Sequence, residues 1–291
     1  MNNFIESYGQ ILKTLKEVEP NINFLNQIRV PKLSDIELVS VALTAEYLSI
    51  DSEHQLFRKL PCYLSERIER SVYNRRRRRL FPYIEKLRLK MSELIVPFED
   101  YFVVDSMPLE VCKLSREHKV KICREAFDTA PNRGFCASQN MHFFGYKLHA
   151  VCSIGGVFKS FDLTKASVHD IHYLKNIKDE FSNCTIIGDK GYLSTDYQLD
   201  MFECKRIKLE TPMRKNQINF RPQTYIFKKT RSRIETLFSQ LCDQFMIRRN
   251  YAKTFAGFKT RILTKITSLT IIQLINLRQG KKINNLKTCI V

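Results

Sequence analysis

The sequence predicts an α/β protein in which an N-terminal all-helical module precedes a mixed sheet flanked by helices. Three observations support this fold class: apolar residues recur at helical spacing before residue 95, strand signals begin at residue 101, and helical and strand segments alternate after residue 170. Strands joined by hairpin turns and followed by alternating helix and strand form a mixed sheet with helices on its faces.

The N-terminal module begins with a helix signal. Residues 34–37 read SDIE, a capping box that starts a helix running to about Tyr47. A second, shorter helix is predicted over 51–60, with Asp51 or Ser52 as its cap.

A run of arginines follows, consisting of Arg75, Arg76, Arg77, Arg78 and Arg79. Consecutive residues point all round a helix axis, so these side chains cannot all face one DNA backbone. Some of them are expected to pair with Glu66, Glu69 or Glu85 instead. We interpret the module as DNA-binding and the arginines as candidate phosphate contacts, and a merely solvated helix is the alternative.

The first strand signal is YFVVD, an apolar run that ends in Asp105. Pro108 follows three residues later, and we predict that it stops the strand because proline cannot donate a ladder hydrogen bond. An ionised carboxylate at the end of an apolar run is costly to bury unless something pairs with it. The sequence therefore predicts a partner for Asp105.

The remaining elements follow an irregular, polar stretch over 106–142. In chain order they are strands in FFGYKLHAVCSI and VFKSFDLTKA joined by a SIGG turn, a helix over 170–181, a buried strand in CTIIGD, a helix over 194–203, a strand over 205–211, an amphipathic helix in RSRIETLFSQLCDQF and a last helix over 255–278.

The net charge of +18 is unevenly distributed along the chain. Residues 58–90 contain 12 Lys and Arg against 3 Asp and Glu, and residues 205–291 contain 20 against 3, whereas the centre over 91–204 is acidic. An acidic centre between basic flanks is expected when carboxylates hold cations and the flanks hold a polyanion. Nucleic acid is therefore the expected partner, and a basic surface without a partner is the alternative.

Membrane and disulfide-rich classes are disfavoured. No long uninterrupted apolar stretch suggests a membrane span, and the first residues lack the features of a signal peptide. The nine cysteines include no C-x-x-C pair, and several lie in apolar runs, so we interpret them as reduced core residues. A cytoplasmic protein is expected.

Three acidic residues occupy positions suited to chemistry. Asp105 and Asp189 end two predicted strands, and Glu235 lies beside the apolar stripe of the amphipathic helix. Carboxylates that converge at a sheet edge repel one another unless cations intervene, and two Mg²⁺ or Mn²⁺ ions about 4 Å apart resolve that repulsion. Each acid also has a structural alternative, as a turn residue or cap, or as a partner of Arg231 on the same helix.

The segments VVDSMP, GYKLHAV, ASVHD, IIGDKGY and RSRIETLFSQL resemble the motifs of DDE transposases from bacterial insertion sequences. The resemblance covers roughly residues 34–278. It implies a ribonuclease H-like catalytic domain in which Asp105, Asp189 and Glu235 are the catalytic triad and bind two Mg²⁺ (or Mn²⁺) ions. It also implies DNA contacts at Lys190, Arg231 and Arg233. The Y-x-x-R-x-x-x-E signature of some relatives is absent, because Ser232 occupies the Tyr position.

The resemblance further implies the reaction and the partners. The expected function is that of a DNA transposase of an insertion sequence, which hydrolyses phosphodiesters at element ends and transfers the freed 3′-hydroxyl into target DNA. The partners are double-stranded DNA, in the form of terminal inverted repeats and target, and a second copy of the chain as a homodimer on DNA. The location is the bacterial cytoplasm, associated with the nucleoid.

The domain boundaries follow from these readings. We predict a helical DNA-binding module over 1–95, a ribonuclease H-like catalytic domain over 96–250 and a C-terminal helical basic extension over 251–291. Two alternative functions stay open: a ribonuclease H-like nuclease without joining activity, and an inactive DNA-binding regulator derived from a transposase.

Auxiliary roles are predicted for residues around the triad. Lys147 and His149 alternate on the second strand and share a face, so Lys147 is a candidate phosphate contact and a solvated strand face is the alternative. His169 and Asp170 match a recurring family motif. A zinc site formed with His172 is disfavoured because catalytic zinc needs three convergent ligands, and Asp170 is also a suitable helix cap.

Overall fold

The computed structural model describes residues 4–213, 220–222 and 224–286. It divides into two compact units. Within the described residues, the helical unit contains those up to Ile95 together with those from Gln240 to Leu286, and the sheet unit contains those from Val96 to Ser239. The sequence suggested a separate extension over 251–291; its described part, up to Leu286, belongs to the same unit as the N-terminal helices.

The helices of the described residues are, in chain order, α1 (Phe4–Val18), α2 (Asp35–Tyr47), α3 (Glu53–Lys59), α4 (Cys62–Ser65), α5 (Arg70–Arg79), α6 (Phe81–Ile95), α7 (Leu174–Glu180), α8 (Thr195–Lys205), α9 (Tyr225–Asp243) and α10 (Phe255–Arg278). The last helix, predicted over roughly 255–278, is confirmed as α10. The predicted capping box is confirmed as well: the Ser34 hydroxyl accepts from the Glu37 N–H, and the Glu37 carboxylate accepts from the Ser34 N–H.

The helical unit is built around α10. This helix packs against α2 and α6, and its residues from Gly257 to Asn276 are buried except for the half-buried Lys259. α2 is buried almost all round as well. α10 also carries polar side chains, and some of them are hydrogen-bonded within the unit, as the Ser268 hydroxyl is to the Leu43 carbonyl of α2 at 2.9 Å.

The strands of the described residues are β1 (Tyr101–Cys112), β2 (Asn132–Cys136), β3 (Met141–Ser153), β4 (Phe158–Lys165), β5 (Thr185–Ile187) and β6 (Lys208–Glu210). β1 pairs antiparallel with β3 and parallel with β5, and β5 pairs parallel with β6. Both β2 and β4 pair with the other edge of β3. The predicted fold class, a ribonuclease H-like mixed sheet flanked by helices with an N-terminal helical module, is confirmed.

The two faces of the sheet follow from strand alternation. Phe102, Val104 and Ile186 form one face, where they share a buried cluster with residues of α7 and α8 such as Leu174 and Met201. Asp105 lies on the opposite face, because successive residues of a strand point to opposite sides. The Phe158 ring of β4 contacts the Phe238 ring of α9, with their centroids 6.3 Å apart.

Two predictions about strands were wrong. β1 does not end at Asp105 or at Pro108 but continues to Cys112, and Pro108 lies opposite Lys147 in the ladder with β3. Proline is tolerated there because β5 pairs only with the first three residues of β1, which leaves that edge of β1 open.

β2 was missed because it lies within the stretch interpreted as irregular. Its residues read NRGFC, a sequence without a strong strand signal. Gly134 permits a close approach, since a Cβ there would lie 2.3 Å from the Ala166 carbonyl oxygen.

Candidate active site

The strand register places Asp105 and Asp189 next to each other. Val103 of β1 lies opposite Ile187 of β5 in a parallel ladder. Each aspartate follows its member of this pair by two residues, so both side chains leave the sheet at the same level of adjacent strands. This is the carboxyl end of β5, the kind of position where open α/β sheets bind ligands.

Local hydrogen bonds hold both aspartates. An Asp105 carboxylate oxygen accepts from the Ser106 N–H at 2.8 Å. The Asp189 carboxylate accepts from the Gly191 N–H at 2.7 Å and so caps the one-turn 3₁₀ helix over Lys190–Tyr192. A Cβ on Gly191 would lie 2.9 Å from that Asp189 oxygen, so a side chain at position 191 would displace the carboxylate from this position.

Glu235 comes from α9. Ile234, Leu237 and Phe238 are buried, whereas Glu235 is exposed beside this stripe. Arg231 lies one turn earlier and is half-buried. Among the described residues Glu235 and Arg231 form no ion pair, so the structure does not contain the simple helix pair that was the alternative role for Glu235.

Electrostatics connects these groups. Burial raises the pKa of Asp105 from 3.8 to about 7, against a hydrogen bond from Ser106 that lowers it. The negative charges of Asp189 and Glu235 raise the same pKa, and the positive charge of Arg231 lowers it. The charges of Asp189 and Glu235 therefore reach Asp105. The combined negative charge of the three carboxylates, when they are ionised, exceeds the positive charge of Arg231.

The donor set fits a hard divalent cation, because carboxylate oxygens are the ligands that Mg²⁺ and Mn²⁺ prefer. Within the described ranges, no three carboxylate, imidazole or thiol groups stand close enough together to hold a metal ion as they are. The site thus offers the right chemical groups at one sheet edge without a closed coordination shell.

The raised pKa predicts that Asp105 limits the stability of the metal-free protein. The folded protein binds this proton more tightly than the unfolded chain, so stability falls as the pH rises from about 4 to about 7. The increase in the pKa of Asp105 from 3.8 to about 7 corresponds to a loss of at most ~4 kcal/mol in the free energy of unfolding at high pH. We expect Asp105→Asn to increase the free energy of unfolding by ~1–3 kcal/mol at pH 8 and by much less at pH 4.5, as measured by urea unfolding without divalent ions.

The exposed carboxylate of Asp179 on α7 supplies the control. Asp179→Asn should leave the difference between the two pH values unchanged. An Asp105→Asn variant whose stability relative to wild type is the same at both pH values would contradict the raised pKa.

A second polar group lies on the other face of β1, directly behind Asp105. One Asp170 oxygen accepts from the Ser106 hydroxyl at 3.0 Å and from Lys147 Nζ at 3.1 Å. The other Asp170 oxygen lies 3.6 Å from the place where a Cβ on Gly191 would stand. Asp170 therefore contacts the residue after Asp105 and lies against the turn that Asp189 caps.

Lys147 and His149 belong to this inner network and do not lie on a solvated strand face. The Lys147 side chain is 14% exposed and also donates to the Val168 carbonyl. His149 is fully buried, its Nε2 lies 2.8 Å from Thr164 Oγ1, and its ring stacks on Tyr173. Burial lowers the pKa of His149 to about 4, so the imidazole is neutral at pH 7.

The zinc alternative finds no support in the geometry. The exposed His169 caps the turn that begins at Asp170, with its Nδ1 accepting from the Ile171 N–H at 3.3 Å. The cap is thus His169 and not Asp170, which was the residue that the sequence suggested. His172 is exposed as well.

The arginine run of α5 divides into two groups. Arg76 and Arg77 are buried and form ion pairs with Asp35 at 2.6 Å and Glu53 at 2.8 Å. Asp35 and Glu53 are not among the glutamates that the sequence suggested as partners. Because Arg76 and Arg77 are buried in ion pairs, we assign both arginines a structural role in the helical unit. The exposed members of the run are Arg75, Arg78 and Arg79.

The predicted DNA contacts of the sheet unit differ in exposure. Lys190 and Arg233 are exposed, and Arg231 is half-buried. Lys190 belongs to the turn that Asp189 caps, so its charge lies next to one of the proposed catalytic residues.

Comparison with known proteins identifies the family of the chain. No protein of curated function matches the chain in sequence. None of the helices in the described residues combines the length and apolar character needed to cross a bilayer. The model of the transposase DDE domain matches residues 97–271, which include β1, β5, α9 and most of α10. The chain therefore belongs to the DDE-domain transposase family.

Proposed function

We propose that this protein is the DNA transposase of an insertion sequence, and that Asp105, Asp189 and Glu235 are its catalytic residues. The observation that carries the proposal is the parallel register that sets Asp105 beside Asp189, together with the mutual influence of the three carboxylates on the pKa of Asp105. The family membership supplies the class of reaction.

The proposed reaction is a hydrolysis followed by a transesterification. Water attacks the phosphodiester at an element end and releases a 3′-hydroxyl, which then attacks a target phosphodiester and displaces its 3′-oxygen. Two bound Mg²⁺ or Mn²⁺ ions would supply Lewis-acid activation of the attacking oxygen and stabilisation of the leaving oxygen. Asp105, Asp189 and Glu235 would hold the ions.

Other residues of the chain position the DNA. Lys190 and Arg233 are exposed near the carboxylates and would neutralise backbone phosphates, and Arg231 places a positive charge close to Asp105. Asp105 is held by a backbone hydrogen bond and Asp189 caps its own turn, so both carboxylates are fixed before DNA binds. We further propose that a homodimer brings two inverted repeats together.

The proposed function is tested by a joining assay with labelled element ends and a plasmid target. We expect products in which the labelled 3′-end is covalently joined to plasmid, in the presence of Mg²⁺ or Mn²⁺ and not with EDTA. Cleavage without joined product would favour the nuclease alternative. Binding without cleavage would favour the inactive regulator.

Asp170 is predicted to be a positioning residue that fixes both aspartates. Asp170→Ala removes the acceptor of the Ser106 hydroxyl and of Lys147. We expect cleavage to fall about 10–100-fold, with a similar rise in the Mg²⁺ concentration needed for half-maximal rate, as for other groups that orient metal ligands. His169→Ala removes only an exposed cap and should change the rate less than about 3-fold. A lower rate with an unchanged Mg²⁺ dependence would contradict the positioning role.

A further inference from the structure

The helical unit contains a cavity of about 540 Å³ that lies between α5 and the N-terminus of α10. We call it the basic pocket, and its charged and aromatic lining consists mainly of Arg70, Arg77, Arg78, Tyr251, Lys253 and Arg261. It is formed entirely by residues of the helical unit, so it is separate from the carboxylate site of the sheet unit.

The lining has an excess of positive charge. Glu53 is the one carboxylate among the described lining residues, and it is already paired with Arg77 at 2.8 Å. Arg70, Arg78 and Lys253 are exposed and form no ion pair with any described residue. Three cations that face one cavity without partners repel one another, and an anion in the cavity would relieve that repulsion.

The first turn of α10 adds to this positive field. Thr254 caps the helix by accepting from the Gly257 N–H at 3.2 Å, and Gly257 lines the pocket. The Arg78 side chain crosses this turn, since its Cδ lies 3.9 Å from the place of a Cβ on Gly257. The N-terminus of a long helix attracts anions through its partial positive charge.

A buried guanidinium group of the lining has a donor without an acceptor. Arg261 is 5% exposed, and its Nε atom forms no hydrogen bond within the described part of the chain. Glu46 Oε1 lies 3.5 Å from the Nε of Arg261 without forming a hydrogen bond. Buried N–H groups are normally satisfied, so a donor without an acceptor in the lining of a cavity is consistent with an acceptor that enters it.

We propose that the basic pocket binds a backbone phosphate of DNA. The proposal rests on the proposed function, because it identifies where the helical unit contacts the DNA on which the transposase acts. A backbone phosphate matches the lining, since it offers two charged oxygens to arginine donors and to the helix N-terminus. The pocket contact involves Arg78 and Lys253, whereas Arg75 and Arg79, which are on the same helix as Arg78, do not line the cavity.

The full-length chain provides a test with a matched control. A short fluorescein-labelled duplex serves as the probe, and its dissociation constant is measured by anisotropy over a range of NaCl concentrations. For the double variant Arg78→Gln/Lys253→Gln we expect the slope of log affinity against log salt to become shallower by ~0.9, because the contact with one backbone phosphate is lost. The control Lys13→Gln/Lys16→Gln removes the same charge from exposed positions of α1 that lie outside the pocket, and it should change the slope less than half as much.

The outcomes separate the pocket from the overall function. Equal slopes for the two double variants would overturn the pocket, even if the wild type cleaves and joins DNA. Saturable binding of inorganic phosphate that Arg78→Gln/Lys253→Gln abolishes, with DNA affinity unchanged, would also overturn it in favour of a free phosphate ligand. If the wild type fails to bind DNA at all, the proposed function fails together with the pocket. Circular dichroism confirms that each variant is folded.

Discussion

Asp189→Asn is expected to abolish metal-dependent DNA cleavage while leaving DNA affinity nearly unchanged. The substitution keeps an oxygen that can accept from the Gly191 N–H, so the turn over Lys190–Tyr192 should persist. It removes the negative charge that a divalent cation needs beside Asp105. Removing one member of a catalytic group that acts as a unit costs at least ~10³-fold in rate, and we expect a loss of that order in the cleavage assay.

The control for this variant is Asp196→Asn, which changes an exposed carboxylate in the first turn of α8. It should cleave at the wild-type rate. An Asp189→Asn variant that cleaves as fast as the wild type would contradict the assignment of the catalytic residues. If both proteins are equally inert and both bind DNA, the inactive regulator is the better description.

The second large effect is expected in the helical unit, where Glu46 of α2 holds two buried cations of α10. Glu46 is 2% exposed and accepts from Lys265 Nζ, and Arg261 lies 3.5 Å away. Lys265 is 1% exposed, and its pKa is lowered by burial and raised by Glu46. Glu46→Ala leaves both cations buried without a counter-charge, and breaking a buried pair in this way costs ~3–5 kcal/mol.

Urea unfolding followed by far-ultraviolet circular dichroism measures this loss. Glu17 and Arg278 form an ion pair between the same helix α10 and α1, but both side chains are more than a third exposed. Glu17→Gln should therefore cost less than ~1 kcal/mol. A loss for Glu46→Ala no larger than that for Glu17→Gln would show that the buried cluster contributes little to the stability of the helical unit.

The elements that the sequence predicted well carry strong local signals. The last helix and α2, which begins at the capping box over 34–37, have apolar periodicity and caps, and these signals depend on neighbouring residues alone. The two aspartates were found because each follows an apolar run with a turn signal after it. Their adjacency depends on the parallel pairing of β1 with β5, which the local sequence signals left open.

The features that the sequence did not predict depend on distant partners. Nothing in the sequence distinguishes Arg76 and Arg77 from the exposed arginines on either side of them. Only the packing of α5 against α2 and α3 brings Asp35 and Glu53 into contact with them. Pro108 is accepted in β1 because a neighbouring strand ends early.

Lys147 and His149 share a strand face, as expected, but strand alternation cannot tell whether a face is covered. Here Asp170 and Tyr173, which follow β4 along the chain, cover that face. A histidine within an apolar run was the available signal that this side chain lies in the core.

The central claim is that Asp105, Asp189 and Glu235 form one metal site. Crystals of the protein with DNA and Mn²⁺, measured at the manganese absorption edge, test it most directly through anomalous difference density. The expected result is two peaks about 4 Å apart, in contact with the three carboxylates. Density at His169 and Asp170 instead, or no density beside Asp105 and Asp189 at saturating Mn²⁺, would contradict the claim.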